Sequence, residues 1–105
     1  MANRNRKEQS AHDKGVRTTA KELEQEGWNV QADHISGFES PPTVNGHTPD
    51  VYATKRGGTR IIEVETDRED DQSQHTAFRR SAGQTRANFY GYVVDSAGNR
   101  RERFE

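Results

Sequence analysis

Apolar residues in the first third of the chain recur at the spacing of one helix face. Three of them follow the i, i+4, i+7 rule, namely Val16, Ala20 and Leu23. Asp13 is a typical N-cap residue, and Gly27 stands where a residue in the left-handed conformation commonly ends a helix. The pattern therefore predicts a first helix from Asp13 to about Glu26.

Alternation of apolar and polar residues then predicts three strands. The first lies within 28–35, where every second side chain is apolar at the start of the segment. The other two are expected at 50–54 and 59–66, on either side of Gly57-Gly58. Because a type I′ turn needs positive φ at both central positions, this glycine pair favours a β-hairpin.

The remaining third predicts a second helix and a last strand. The helix is expected over about 73–88, and one of its sides carries residues spaced by four, three and four: Phe78, Ala82, Thr85 and Phe89. A strand is expected at 90–95. A turn at Ala97-Gly98 leaves room for a further short strand in the polar tail.

The predicted order of elements, α-β-β-β-α-β, indicates the α/β class, with a small mixed β-sheet flanked by helices. The last strand follows a helical crossover, so we expect it to run parallel to a neighbouring strand. The domain is predicted to span 12–95, between a flexible polar N-terminus at 1–11 and a polar C-terminal tail at 96–105.

Composition narrows the class of protein further. The 105 residues are 28% hydrophobic and 31% charged, and the net charge is -1, so we expect a globular domain with a thin core. The absence of cysteine excludes disulfides and thiolate metal ligands. No apolar run resembles a secretory signal or a membrane span, so a cytoplasmic protein without a membrane partner is expected.

Three carboxylates stand within the predicted hairpin, at Asp50, Glu63 and Glu65. With Gly57-Gly58 as the turn, Asp50 is expected opposite Glu65, and the period of two places all three carboxylates on one face. The apolar residues of both strands fall on the other face, where the core is expected. Like charges directly opposed in a sheet repel each other, so the acidic face needs a cation or screening by water.

Two kinds of cation can neutralise these carboxylates. Mg²⁺ takes hard oxygen ligands, usually one or two carboxylates completed by water and substrate phosphate. Arg60 and Arg68 are the alternative, as ordinary salt-bridge partners on an exposed strand. The spacing of the residues leaves both options open.

The same residues resemble the motifs of the PD-(D/E)xK nuclease superfamily, which includes restriction-endonuclease-like proteins and archaeal Holliday junction resolvases. Pro49-Asp50 supplies the first motif, and Glu63-Val64-Glu65 supplies the second on the next strand. The resemblance covers residues 12–95 and includes the α-β-β-β-α-β order of elements. Gly27-Trp28 also looks like the glycine–aromatic step that opens the first strand in the archaeal resolvases.

This resemblance implies a metal-dependent endonuclease that hydrolyses phosphodiester bonds in DNA. Asp50 and Glu63 would hold Mg²⁺ or Mn²⁺ with the backbone carbonyl of Val64, and Glu65 would accept a proton or help to hold a second ion. The catalytic and metal-binding residues are thus expected to be Asp50, Glu63 and Glu65. Two departures stand out: Glu65 replaces the lysine of the family motif, and the glutamate that the resolvases carry early in helix one has its nearest counterpart at Glu22.

A nuclease must also hold a polyanion. Arg79 and Arg80 are expected on the side of the second helix away from its apolar residues, and with Arg86 they are the predicted nucleic-acid-binding residues. A homodimer with C2 symmetry would supply two equivalent sites for cutting both strands, so a homodimer is among the expected assemblies.

Two other interpretations compete with the enzyme. The first is a catalytically inactive module that keeps the nuclease fold and binds nucleic acid or protein. The second is an unrelated α/β interaction module whose carboxylates are surface charges that do not converge. Convergence of the three carboxylates separates the last interpretation from the others.

Overall fold

The computed structural model describes residues 6–66 and 87–104. Within these ranges the chain forms one helix and five strands: α1 (Arg6–Gln25), β1 (Asn29–Ala32), β2 (Val51–Lys55), β3 (Gly58–Glu65), β4 (Asn88–Val94) and β5 (Arg100–Phe104). The strands form one sheet in the order β1-β2-β3-β4-β5. Neighbouring strands are antiparallel except β3 and β4, which are parallel. The α/β class with a mixed sheet is therefore confirmed, while most of the predicted second helix lies outside the described residues.

The first helix begins at Arg6, seven residues before the predicted N-cap, so that prediction is wrong. Asp13 lies inside α1, where its Oδ1 accepts a hydrogen bond of 2.8 Å from Gln9 Nε2. The helix extends towards the N-terminus because Ala11 is buried there, which adds core contact to a stretch rich in good helix formers.

The end of α1 is at the predicted place. Gly27 has φ 92°, and its N–H donates to the carbonyl of Glu24 at 3.1 Å. The N–H of Trp28 donates to the carbonyl of Leu23 at 3.0 Å. These two bonds form a Schellman motif, which turns the chain from α1 into β1.

The sheet has two faces that differ in what covers them. The helix face packs against α1, and its buried side chains include Val51, Ala53, Ile62, Val64, Tyr90 and Val94. The far face carries a smaller apolar cluster: Ile61 and Phe89, with the half-buried Val44, Tyr52, Ala87 and Phe104. Since side chains alternate along a strand, Glu63 and Glu65 share the far face with Ile61.

A glycine allows α1 to approach the sheet closely. A Cβ atom at Gly15 would lie 2.9 Å from the Cγ1 atoms of both Val64 and Val94. The predicted apolar residues of the helix, Val16, Ala20 and Leu23, are buried in the same core as Val64 and Val94. The close approach brings the first half of α1 next to the start of β2 and the end of β3, where the acidic motifs lie.

The β2–β3 turn is displaced from its predicted position. Lys55 pairs with Gly58, and the central residues are Arg56 (φ 47°) and Gly57 (φ 84°). A Cβ atom at Gly58 would lie 3.2 Å from the carbonyl oxygen of Lys55, a tight contact that favours glycine at this strand position. The register therefore moves by two residues, and every side chain keeps its predicted face.

The last strands also refine the prediction. Asn88 and Phe89, expected at the end of the second helix, belong to β4, because Phe89 is buried beside its register partner Ile61 in an extended chain. The expected parallel pairing of this strand with a neighbour is confirmed. The short strand in the tail is also confirmed as β5, after a turn in which Gly98 has φ 81°.

Candidate active site

Asp50 and Glu63 meet at the open end of the β2–β3 hairpin, opposite its turn. The backbone N–H of Asp50 donates to Oε2 of Glu63 at 2.8 Å, and the N–H of Val64 donates to Oδ2 of Asp50 at 2.9 Å. The expected pairing of Asp50 with Glu65 is wrong, because the displaced register brings Glu63 opposite Asp50. The two acidic motifs of the sequence are thus joined by two hydrogen bonds.

A histidine that the sequence did not single out completes this contact. His12 of α1 is buried, and its Nε2 lies 3.1 Å from Oδ1 of Asp50. Its Nδ1 lies 3.3 Å from Oδ1 of Asp13. A signal for His12 exists in the sequence, because it precedes Val16 by four residues and so continues the buried side of α1.

Burial and neighbouring charges shift the pKa values of the two carboxyl groups in opposite directions. Burial, followed by the negative charge of Asp50 and a side-chain hydrogen bond to it, raises the pKa of Glu63 well above its ordinary value of 4.5. Burial also pushes the pKa of Asp50 upwards, but the hydrogen bond and positive charge of His12 and the Val64 N–H outweigh it and leave it below 3.8. Between these two pKa values the pair carries one negative charge, on Asp50, and one proton, on Glu63.

A further carboxylate stands close to this pair. Asp33 follows β1, and its N–H donates to the carbonyl of Asp50 at 2.9 Å. Burial is the main cause that raises the pKa of Asp33, the charge of Asp50 adds to it, and His34 and His12 oppose it. Its side chain is 28% exposed, so Asp33 is in partial contact with solvent, unlike Glu63, which is 1% exposed. Its partner is far along the chain, and no local pattern marks it.

Glu65 is buried one strand period beyond Glu63, at 2% exposure. Its negative charge contributes to the raised pKa of Glu63, so the two side chains interact along the far face. The structure therefore brings two of the three predicted ligands, Asp50 and Glu63, into contact and places the third beside them. Among residues 6–66 and 87–104, no group of three or more His, Cys, Asp or Glu side chains is arranged to hold a metal ion.

The donor set of the pair suits a hard cation. Two carboxylates are the usual protein contribution to a Mg²⁺ site, the rest being water and phosphate oxygen. Glu63 would lose its proton on binding, and the cation would take over the neutralisation that the proton now provides. Both oxygens of Asp50 already have partners, in His12 and Val64, so a cation would share them.

The other predicted groups lie elsewhere. Arg60 does not neutralise the carboxylates, because it sits on the helix face with its guanidinium carbon 4.4 Å from the centre of the Trp28 ring. Glu22, the nearest counterpart of the resolvase glutamate, pairs with Arg100. Four predicted arginines lie outside the described residues: Arg68, Arg79, Arg80 and Arg86.

The described part of the chain carries a basic surface that the sequence did not suggest. We call it the α1 basic face; its cations are Arg6, Lys14, Arg17 and Lys21. They line an open groove of about 970 Å³ along the exposed side of the helix. Asp13 also lines this groove and contacts His12, so two successive contacts, from Asp13 to His12 and from His12 to Asp50, connect the groove to the acidic pair.

No helix in the described ranges has the length and apolar character that crossing a membrane requires.

Comparisons with known proteins add no family to this description. No protein-family model, curated protein or solved structure matches the chain.

Proposed function

We propose that this protein is a metal-dependent nuclease that hydrolyses phosphodiester bonds in DNA. The observation that carries the proposal is the contact between Asp50 and Glu63, on the two arms of one hairpin, with Val64 bonded between them. The order of the described elements also agrees with a restriction-endonuclease-like core. One helix precedes three antiparallel strands, and the fourth strand runs parallel to the third.

The carboxylate pair would hold Mg²⁺ or Mn²⁺. A divalent cation at this position supplies charge stabilisation for a phosphodiester and acidifies water. The chain's own contribution is to keep Asp50 ionised through His12 and to hold Glu63 against it. Two carboxylates this close repel when both are ionised, which gives the site a physical reason to bind a cation.

Two residues beside the acidic pair would assist it, one by positioning Asp50 and the other by accepting a proton. His12 fixes one oxygen of Asp50 at 3.1 Å, so it acts as a positioning residue for the acidic pair. Glu65 stands where the family motif has a lysine, and as a carboxylate it can accept a proton on the far face. These assignments give Asp50 and Glu63 the role of metal ligands and Glu65 that of proton acceptor.

The α1 basic face would hold the DNA backbone. Its cations follow one side of the helix, and none of them forms an ion pair with a side chain that the structure describes, a set that leaves out residues 7 and 8. Cations in such a row neutralise successive phosphates and release counterions on binding. Asp13 lines the groove and contacts His12, which in turn contacts Asp50, so these two side chains connect a strand lying in the groove to the acidic pair.

One observation favours a second candidate, a catalytically inactive module of the same fold that binds nucleic acid. Both carboxylate oxygens of Asp50 are satisfied by protein groups, so the network can stabilise the fold without a cation. In that case the pair joins α1 to the hairpin and the α1 basic face alone provides the function.

A cleavage panel tests the proposal. Supercoiled, linear, branched and single-stranded DNA are incubated with the protein and Mg²⁺, Mn²⁺ or EDTA. We expect cutting only with a metal, and its loss in Glu63→Gln and Asp50→Asn. Glu63→Gln is the sharper variant, because glutamine mimics the protonated glutamate and so preserves the fold. Glu39→Gln, on an exposed side chain, is the matched control and retains cleavage.

Binding separates the two candidates. Wild type that binds DNA and cuts no substrate with either metal supports the inactive module and contradicts the nuclease. Metal-dependent cutting that survives both Asp50→Asn and Glu63→Gln assigns the activity to another site and contradicts the role of the pair.

A further inference from the structure

A second charged site lies towards the start of β3 and β4, away from the acidic pair. A cleft of about 180 Å³ opens there, and we call it the arginine cleft; its lining is Arg60, Asn88, Phe89, Tyr90 and Arg103. Arg60 precedes Glu63 by three residues on β3 and faces the opposite side of the sheet. The cleft therefore shares no side chain with the proposed nuclease site.

Stacking on aromatic rings holds both arginines in place. The guanidinium carbon of Arg60 lies 4.4 Å from the centre of the Trp28 ring and 6.0 Å from that of Tyr90. The guanidinium carbon of Arg103 lies 4.2 Å from the centre of the Tyr90 ring. A guanidinium group stacked by its face keeps its N–H edge available for hydrogen bonds. Rotamer entropy is thus lost on folding rather than on binding a ligand.

The charge of the cleft is uncompensated among the described residues. Neither Arg60 nor Arg103 forms an ion pair with a carboxylate whose side chain the structure describes. Lys55 stands outside the cleft, 5.7 Å from the centre of the Trp28 ring, and donates to the carbonyl of Glu26 at 2.7 Å. Guanidinium groups cannot relieve their repulsion by losing a proton, so two of them around one tyrosine favour an anion.

The size and donors of the cleft indicate which anion fits. A volume of 180 Å³ equals about six water molecules at ~30 Å³ each, enough for a phosphate group with some of its water. Arginine forks bind phosphate oxygens in pairs, and Asn88 contributes amide donors. We propose that the arginine cleft binds a phosphate group, borne either by a nucleic acid or by a small molecule.

Arginine side-chain NMR on the full chain tests this site directly. Inorganic phosphate is titrated against chloride at equal ionic strength while the Nε–H signals of the arginines are followed. We expect saturable shifts of the Arg60 and Arg103 signals with phosphate only. Arg103→Gln, on an exposed residue, should weaken phosphate binding about tenfold, because one charge-assisted pair of hydrogen bonds is lost.

Arg56→Gln is the matched control, because it removes one exposed arginine charge at the hairpin turn and leaves the cleft intact. Equal weakening by Arg56→Gln and Arg103→Gln would reduce the effect to net charge and overturn the site. Shifts of Arg60 and Arg103 that chloride reproduces would overturn it as well.

Oligonucleotides identify the source of the phosphate. Tighter binding of a 5′-phosphorylated strand than of its 5′-hydroxyl form, lost in Arg103→Gln, supports a terminal phosphate. Equal binding of both strands with the same loss supports a backbone phosphate. Saturable binding of inorganic phosphate alone supports a small phosphate ester. The site stands on residues separate from Asp50 and Glu63, so a failure of the cleavage panel leaves this test unaffected.

Discussion

The acidic pair and the arginine cleft each bring like charges together, each with one member on β3, and the two regions relieve the repulsion differently. Glu63 is 1% exposed, so its proximity to Asp50 is relieved by a proton that a carboxyl group can take up. Arg60 is half-buried, and its guanidinium group has no neutral form at ordinary pH. It is relieved by the ring faces of Trp28 and Tyr90 and by contact with solvent.

This difference predicts what each region responds to. A buried pair that shares a proton responds to pH and to cations, which compete with the proton. The arginine cleft holds two permanent cations stacked on aromatic rings, so it responds to anions and to salt. One strand, β3, therefore carries a cation-sensitive end and an anion-sensitive end on opposite faces.

The largest expected effect comes from removing the counter-charge of the acidic pair. In His12→Asn the shorter side chain loses both the charge and the reach to Asp50, which leaves a buried carboxylate without its cation. We expect the free energy of unfolding near neutral pH to fall by about 3 kcal/mol, as measured by urea denaturation. His34→Asn is the control, since that histidine is 89% exposed and asparagine tolerates its φ of 56°. Equal losses in the two variants would contradict the role of His12.

A glycine next to Glu63 tests how tightly the far face is built. A Cβ atom at Gly91 would lie 2.2 Å from the Phe104 ring and 2.7 Å from the carbonyl oxygen of Glu63. We expect Gly91→Ala to lower the free energy of unfolding by about 2 kcal/mol. Adding Phe104→Leu removes the ring and should recover only part of the loss, since the backbone contact remains. Full recovery would show that the Glu63 carbonyl imposes no constraint.

The pH dependence of stability tests the shared proton. The folded pKa of Glu63 is raised, so its contribution to stability is complete below 4.5 and is lost as pH rises through the folded pKa. The slope between those values approaches about 1.4 kcal/mol per pH unit for one proton. Asp50 acts in the opposite sense, because its lowered pKa makes stability fall below pH 3.8.

Glu63→Gln should flatten the fall in stability on the alkaline side, while Glu39→Gln should leave it intact. The pKa of Asp33 is also raised, so a smaller decrease of stability with rising pH should remain in Glu63→Gln. Thermal unfolding at a series of pH values measures both the loss of stability at acid pH and the loss as pH rises above 4.5. Wild type whose stability is independent of pH above 4.5 would contradict the shared proton.

The smallest expected effect is on the salt dependence of DNA binding. Replacing Lys14 and Arg17 of the α1 basic face by glutamine removes two phosphate contacts, which should reduce the slope of log K against log salt by about 0.9 for each contact. Arg56→Gln, away from this face, is the control. Fluorescence anisotropy at several salt concentrations gives both slopes, and unchanged slopes in the double variant would remove α1 from the DNA interface.

Prediction from sequence succeeded where the information was local. The two faces of β2 and β3 follow from period-two alternation. The turn was predicted one residue too late, which changes the register by two residues and therefore leaves each side chain on its predicted face. The end of α1 followed from Gly27. Phe89 was misplaced because the helical spacing of the preceding segment continues by chance into β4.

The candidate site was only half predictable for a similar reason. Asp50 and Glu63 lie on the arms of one hairpin, so local alternation brings them near each other. His12 is 38 residues from Asp50, and no spacing rule links a helix side chain to the beginning of a distant strand. Asp33 joins the site through a backbone hydrogen bond, which leaves no mark on residue type.

The most direct test of the central claim is the number of protons released when the acidic pair binds a cation. Calorimetric titration of Mn²⁺ in buffers of different ionisation enthalpy measures this number at a pH where Glu63 is protonated. The shared proton predicts release of about one proton per ion in the wild type and none in Glu63→Gln, which should also bind Mn²⁺ more weakly. Absence of Mn²⁺ binding by the wild type, or equal binding and proton release in Glu63→Gln, would contradict the claim.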